Sequence, residues 1–216
     1  MVSKTQTKKV PSGRPASRRL SKTNTRGQQS KQAILDIAER HFADLGYRGV
    51  STAAIAADAG ISDPGLLHHF GSKEGLLSAL LEQRFSFDAT KLKEDEKLGR
   101  TELLTLIADT VTENLGRAVG VRLMTVLLGE SLSDHHPSHD FFRQRYTHVR
   151  ALLAKHVQSG QNAGEIRTDI PAEHLASALM AIMDGLQIQW LLNGTDMAGV
   201  ARTLMALFDT ALDPQH

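Results

Sequence analysis

Asp134, His135, His136, His139 and Asp140 put three imidazoles and two carboxylates within seven residues. These are zinc-type ligands, and a zinc held there would polarise water for hydrolysis. Adjacent histidines point in different directions, however, and Pro137 favours a loop, so the segment reads better as a solvated connector between helices. No HExxH, GxSxG, GxxxxGK or GxGxxG string accompanies it. With no cysteine among 216 residues there is no thiol nucleophile, disulfide or thiolate metal site. No catalytic residue, metal site or cofactor is therefore assigned. A metal-dependent enzyme built on His135, His136 and His139 stays as a distant alternative.

The second chemical signal is charge. Residues 1–29 carry eight Lys and Arg, among them Arg14, Arg18 and Arg19, and no acid, whereas the whole chain sums to only +1. A flexible cationic segment follows phosphates and releases their counterions, which makes nucleic acid the leading partner. Gly13-Arg14-Pro15 also has the core of an AT-hook, in which an extended arginine lies in a narrow minor groove. A solubilising tail and an organelle transit peptide are the other readings of the same composition. Little in 1–27 is apolar enough to bury, so the arm is expected to be disordered when free.

The remaining residues must position these groups, and they read as helix. Hydrophobic residues at 41%, charged residues at 23% and only six prolines fit a globular all-α chain without period-2 strands. No uninterrupted run of about 18 apolar residues is present to span a bilayer, and no early segment has a signal peptide's apolar region. The expectation is a cytoplasmic protein with no membrane partner.

From Ser30, Ile34, Ile37, Ala38, Phe42 and Leu45 recur at helical spacing until Gly46, a left-handed cap. Ser51 then caps a two-turn helix from Thr52 to Ala59, closed by Gly60. Ser62 caps a third over Asp63 to about Phe70, with Pro64 tolerated in its first turn. Gly71-Ser72 breaks and caps again, and Lys73 opens a longer helix carrying Leu76, Leu77, Leu80 and Leu81. Two short helices across a glycine turn, braced by longer ones, form a helix-turn-helix, whose second helix presents its N-terminal residues to the major groove.

The string Ala38, Phe42, Gly46-Tyr47, Val50-Ser51-Thr52, Ile55-Ala56, Ala59-Gly60-Ile61-Ser62, His69-Phe70, Ser72-Lys73-Glu74 and Leu76-Leu77 resembles the TetR-type transcriptional regulators over about 60 residues. The resemblance implies a homodimer of helical subunits that binds double-stranded DNA, usually a repressor released by a small ligand. It places Thr52 and Ala53, beside Ser51, where the second helix touches DNA. Asp63, Pro64 and Gly65, next to Ser62, fall on the base-reading segment, and His68, His69 and Lys73 lie at or beside phosphate-gripping positions. Two departures stand out: Gly65 where the family usually has Thr or Ser, and Leu67 where it has Tyr. Leu67 has no hydroxyl to offer a phosphate, and Asp63 repels one, so the arm is expected to supply affinity that the recognition helix lacks.

The resemblance and the residue pattern together suggest a disordered arm over 1–27, a DNA-reading head over 28–88 and a helical sensing and dimerisation domain over 89–216. Gly116 and Gly120 are expected to separate two helices, the second starting at Val121. In the larger domain Met124, Leu128, Phe141, Met183 and Trp190 are candidates to line an apolar cavity, with His148, Asp184 and Gln187 as polar anchors for an apolar or amphipathic effector. Plain core packing is the competing reading. The helix from Ala172 to Leu192 has two apolar stripes, and two stripes need two partners. The small-residue stripe of Ala178, Ala181, Gly185, Ile188 and Leu192, with Leu204 and Phe208 from the last helix, is assigned to a four-helix dimer interface. A non-sensing, architectural DNA-binding dimer driven by the arm is the alternative function.

Overall fold

A computed structural model describes the backbone of residues 17–85 and 99–206 and the side chains of 30–85 and 99–203. Every regular element among these residues is an α-helix. The head comprises α1 (Ser17–Leu45), α2 (Thr52–Asp58), α3 (Asp63–Phe70) and α4 (Lys73–Phe85). The second part comprises α5 (Arg100–Leu115), α6 (Ala118–Glu130), α7 (His139–Asn162), α8 (Ala172–Asn193) and α9 (Met197–Ala206).

The helix starts and stops follow local chemistry. Ser51 Oγ accepts from the Ala54 amide at 3.1 Å, Ser62 Oγ from Gly65 at 3.2 Å, and Ser72 Oγ from Gly75 at 3.0 Å. Gly46 and Gly60, with φ of 70° and 67°, take the left-handed conformation that a side chain resists, and they end α1 and the turn after α2. Two expectations are corrected. Residues 17–27 are helical rather than disordered, because α1 runs back to Ser17. Arg18, Arg19, Leu20, Lys22 and Arg26 are good helix formers, and extending an existing helix past the weaker Ser, Thr and Asn between them costs far less than nucleating one. Gly120 does not separate helices but lies buried in the first turn of α6, so that helix starts at Ala118; Gly116 alone caps α5.

Two apolar cores result. The first joins Ile34, Ala38 and Phe42 of α1 to Ile55, Leu66 and the α4 leucines, and it continues into Leu123 and Leu127 of α6 and Phe142 of α7. The second is built by Leu103, Ile107, Val157, Leu175, Leu179 and Leu186 with Met197 and Ala201 of α9. The first core therefore crosses from the helix-turn-helix into the larger part through α1 packed on α6.

The histidine-rich connector is also corrected. His135 is exposed, but Ser131, His136 and Ser138 are buried. Ser131 Oγ donates to the Leu127 carbonyl at 2.6 Å and lies 2.7 Å from Ser138 Oγ, which lies 2.8 Å from His136 Nδ1. His139 Nδ1 is 2.9 Å from the Ser131 carbonyl. Local hydroxyl and carbonyl partners make this polar segment cheap to bury, which polarity read along the chain does not reveal. Among the described residues no three His, Cys, Asp or Glu side chains come together to hold a metal.

Candidate nucleic-acid interface and regulatory cavity

The α2–turn–α3 unit presents the expected surface. Ser51, Ala53, Ser62, Pro64 and His68 are exposed, and Thr52, Asp63, Gly65, His69 and Lys73 are partly exposed. Ser51 and Ser62 use their hydroxyls as caps. Asp63 sits in the first turn of α3, where a carboxylate suits the positive end of the helix dipole, and its buried Oδ1 has no hydrogen-bond partner among the described residues. Leu66 is the one buried side chain of α3. Arg18 and Arg19 lie on the helical backbone of α1 with side chains outside the described residues, and Arg14 is outside them altogether.

Lys73 has a partner that spacing did not disclose. Its Nζ stands 4.3 Å from the centroid of the Tyr47 ring, a cation–π contact at the start of α4. The Tyr47 hydroxyl donates to Glu74 Oε1 at 2.8 Å. That bond holds the Glu74 carboxyl below its usual range, while burial, followed by the Glu74 bond and charge, pushes the tyrosine up. From the other side, the Tyr47 amide donates to Glu130 Oε2 at 2.9 Å, and the His136 ring meets the Tyr47 ring edge-on at 5.3 Å. One tyrosine thus ties the end of α6 to the first turn of α4, beside Lys73. A Cβ on Gly46 would push the Glu130 carboxylate away from the Tyr47 amide, and the positive φ there already favours glycine.

Burial holds His136 and His156 below the usual imidazole range, with Glu130 opposing the shift at His136 and the Arg48 charge adding to it. A lowered folded-state value means that the unfolded chain takes up protons first as pH falls. The stabilising contribution of both rings is thus complete above about pH 6.5 and declines below it. Thermal melts at pH 7.5 and 5.5 should show a lower midpoint in acid, and His136→Gln should reduce that difference. An identical difference in the variant would remove His136 as its source.

Between the end of α4 and helices α5 to α8 lies a cavity of about 510 Å³. Four of the eight expected residues line it: Met124, Met183, Asp184 and Gln187. The other four do not. Leu128 and Phe141 pack against the first core, because α6 and the start of α7 turn toward the head. His148 is exposed, off the Arg145–Val149–Leu153 stripe of α7, and Trp190, a turn beyond Gln187, packs into the second core. Sequence reasoning missed Arg145 and Tyr146. The available signal was an arginine four residues before Val149 on the apolar face of α7. The Tyr146 hydroxyl donates to Asp184 Oδ2 at 2.6 Å, and Arg145 Nη1 donates to the Phe85 carbonyl at 2.8 Å, at the end of α4. Burial raises the Asp184 carboxyl, against the lowering effects of Tyr146 and Arg145.

On α8, Ala178, Ala181, Ile188 and Leu192 are exposed in the single chain and Gly185 is partly so. By length and composition α8 would also pass as a membrane span, with a mean hydropathy of 1.4 over its most apolar window, of which 22% is buried. The Leu204 side chain and Phe208 are outside the described residues.

Residues 34–80 match the family model of bacterial regulatory proteins of the tetR family, and residues 99–213 match that of the BetI-type transcriptional repressor C-terminal region. The HTH-type transcriptional repressor AcnR of Corynebacterium efficiens is 30% identical over 188 residues, which are 84% of this chain and 92% of that protein. The HTH-type transcriptional regulator UidR of Escherichia coli K12 is 23% identical, over 75% of this chain and 82% of its own. Among solved structures, a TetR-family regulator from Agrobacterium tumefaciens superposes with a TM-score of 0.73 at 20% identity, over 85% of this chain and 99% of that one. A Saccharomonospora viridis regulator solved with choline gives 0.65 at 23% identity, over 84% and 95%. With the head, the C-terminal region and the fold all in agreement, the chain belongs to the TetR family of transcriptional regulators.

Proposed function

We propose that the protein is a repressor that binds a palindromic DNA operator as a homodimer and leaves it when a small molecule fills the α5–α8 cavity. The observation that carries the reading is the shared first core: the helices that hold α3 also pack on α6, which lines the cavity through Val121 and Met124. Occupancy would favour a state whose heads no longer match the operator spacing, through different affinities for two conformations. The exposed apolar face of α8 is assigned to the partner copy, and pairing there gives the heads the symmetry that a palindrome mirrors. The segments 28–88 and 89–216 take the reading and regulatory roles, and the cytoplasm is where they act.

Selection of bound sequences from a random duplex library tests this directly. A palindromic motif is expected. Enrichment of AT-rich DNA alone would favour an architectural protein led by its arm. The same selection with a chain lacking residues 1–26 isolates the arm, since Ile34 is the first core side chain among the described residues. The operator affinity of the shortened chain should fall about tenfold with a shallower salt slope, because phosphate-neutralising charges are lost. Unchanged affinity would leave the arm without that role.

A further inference from the structure

Arg145 is the informative group in the cavity. Its guanidinium lines the cavity wall, and its one hydrogen bond among the described residues is to a backbone carbonyl, that of Phe85. Arg84, on the same wall, is already paired with Asp36 and with Glu39, the latter at 2.8 Å, and Asp184 is held by Tyr146. Among the described residues no carboxylate closes on Arg145 within ion-pair distance. A guanidinium cannot give up its proton, and a buried cation without a paired anion is costly. Asp184 is the nearby acid whose charge acts on Arg145, but its carboxylate is bonded to the Tyr146 hydroxyl rather than to the guanidinium. With Glu113 and Arg117 also on the wall, Arg145 is a cavity cation whose donors no carboxylate among the described residues takes up, and it stands beside an apolar wall that includes Leu179, Met180 and Met183.

We infer that the cavity takes an amphipathic carboxylic acid, whose carboxylate pairs with Arg145 while its hydrocarbon part lies along Leu179, Met180 and Met183. The effector-release reading above is the basis for assigning this ligand a regulatory consequence. The guanidinium fork that receives the carboxylate also holds the last turn of α4 through Phe85, and α4 carries Leu76, Leu77, Leu80 and Leu81 into the head core. A carboxylate that pairs with the guanidinium draws it away from the Phe85 carbonyl, which Nη1 alone holds. Binding thereby loosens the end of α4 that braces the head.

The test compares decanoate, decan-1-ol and decyltrimethylammonium, each below its micellar threshold, on the full chain. Ligand-induced thermal shift of the free protein reports binding, and fluorescence anisotropy of a labelled operator reports release. Decanoate should give the largest shift and should release the operator. Arg145→Gln should raise the decanoate concentration for half-saturation about tenfold or more, the scale of one charge-assisted hydrogen bond. Should that variant fold poorly, Asp184→Asn gives an independent reading. It removes the competing negative charge and should lower the half-saturating concentration. Equal or stronger binding by the alcohol or the cation overturns the carboxylate assignment and leaves effector release standing. Failure of all three to bind overturns it as well. Decanoate binding without operator release supports the ligand class and refutes the release reading.

Discussion

Leu66→Ala should abolish operator binding while leaving the dimer intact. Leu66 is fully buried and is the one buried side chain of an eight-residue helix, so it is the main apolar anchor of α3, with Leu67 and Phe70 packing only partly against the same core. Removing a buried leucine to alanine costs about 2–5 kcal/mol, depending on how far the site collapses. A helix this short has no independent stability in water. The groove-entering surface should lose its fixed orientation even if the rest of the chain stays folded. The second core, which holds α8 and α9, contains no residue of α3. Operator anisotropy should show affinity weakened by about a hundredfold or more, on the scale of that lost free energy, while sedimentation still reports the dimer. Affinity within a factor of about three of wild type would mean that α3 is held by something other than its apolar anchor.

Ala181→Glu should have the opposite signature, with intact heads and a broken assembly. Ala181 is exposed on α8 beside Ala178, Ile188 and Leu192, so the carboxylate sits in water in the single chain and folding should be unaffected. In the proposed bundle the same carboxylate enters an apolar contact from both copies. Desolvation of an unpaired charge and like-charge repulsion then add. The dimer dissociation constant should rise by about a hundredfold or more, equivalent to about 2.7 kcal/mol. Binding to a full palindrome should fall toward the weak level of an isolated half-site. Sedimentation equilibrium checks the first and anisotropy on half and full sites the second. A variant that remains dimeric at wild-type concentrations would exclude this face of α8 from the interface.

The head was legible because its signals are local. Ser51, Ser62 and Ser72 are caps, Gly46 and Gly60 take positive φ, and the apolar spacing between them fixed α2 and α3 to within a residue. The cavity was legible only in part, since its lining depends on which way each helix is turned after docking. Met183, Asp184 and Gln187 share a stripe of α8 and were found together. Leu128 and Phe141 were assigned to the cavity because nothing local indicates that α6 and the start of α7 face α1. The Tyr47–Glu130 bond spans 83 residues and rests on that same docking, so no spacing rule points to it. Arg145 was missed for a simpler reason: periodicity weighs apolar residues and passes over an arginine that shares their face.

The Glu130 clamp and the shared first core bear on how such proteins can be recombined. A chimera cut between residues 88 and 89 would transplant a DNA specificity without Glu130, Leu123, Leu127 and Phe142. The grafted head would meet a foreign surface along α1, and the Tyr47 amide would lose its acceptor. The heritable unit of specificity is therefore larger than the part that touches DNA. Operator preference and the α6 surface have to travel together, and either one drifting alone would erode the communication between ligand and DNA before it eroded the fold.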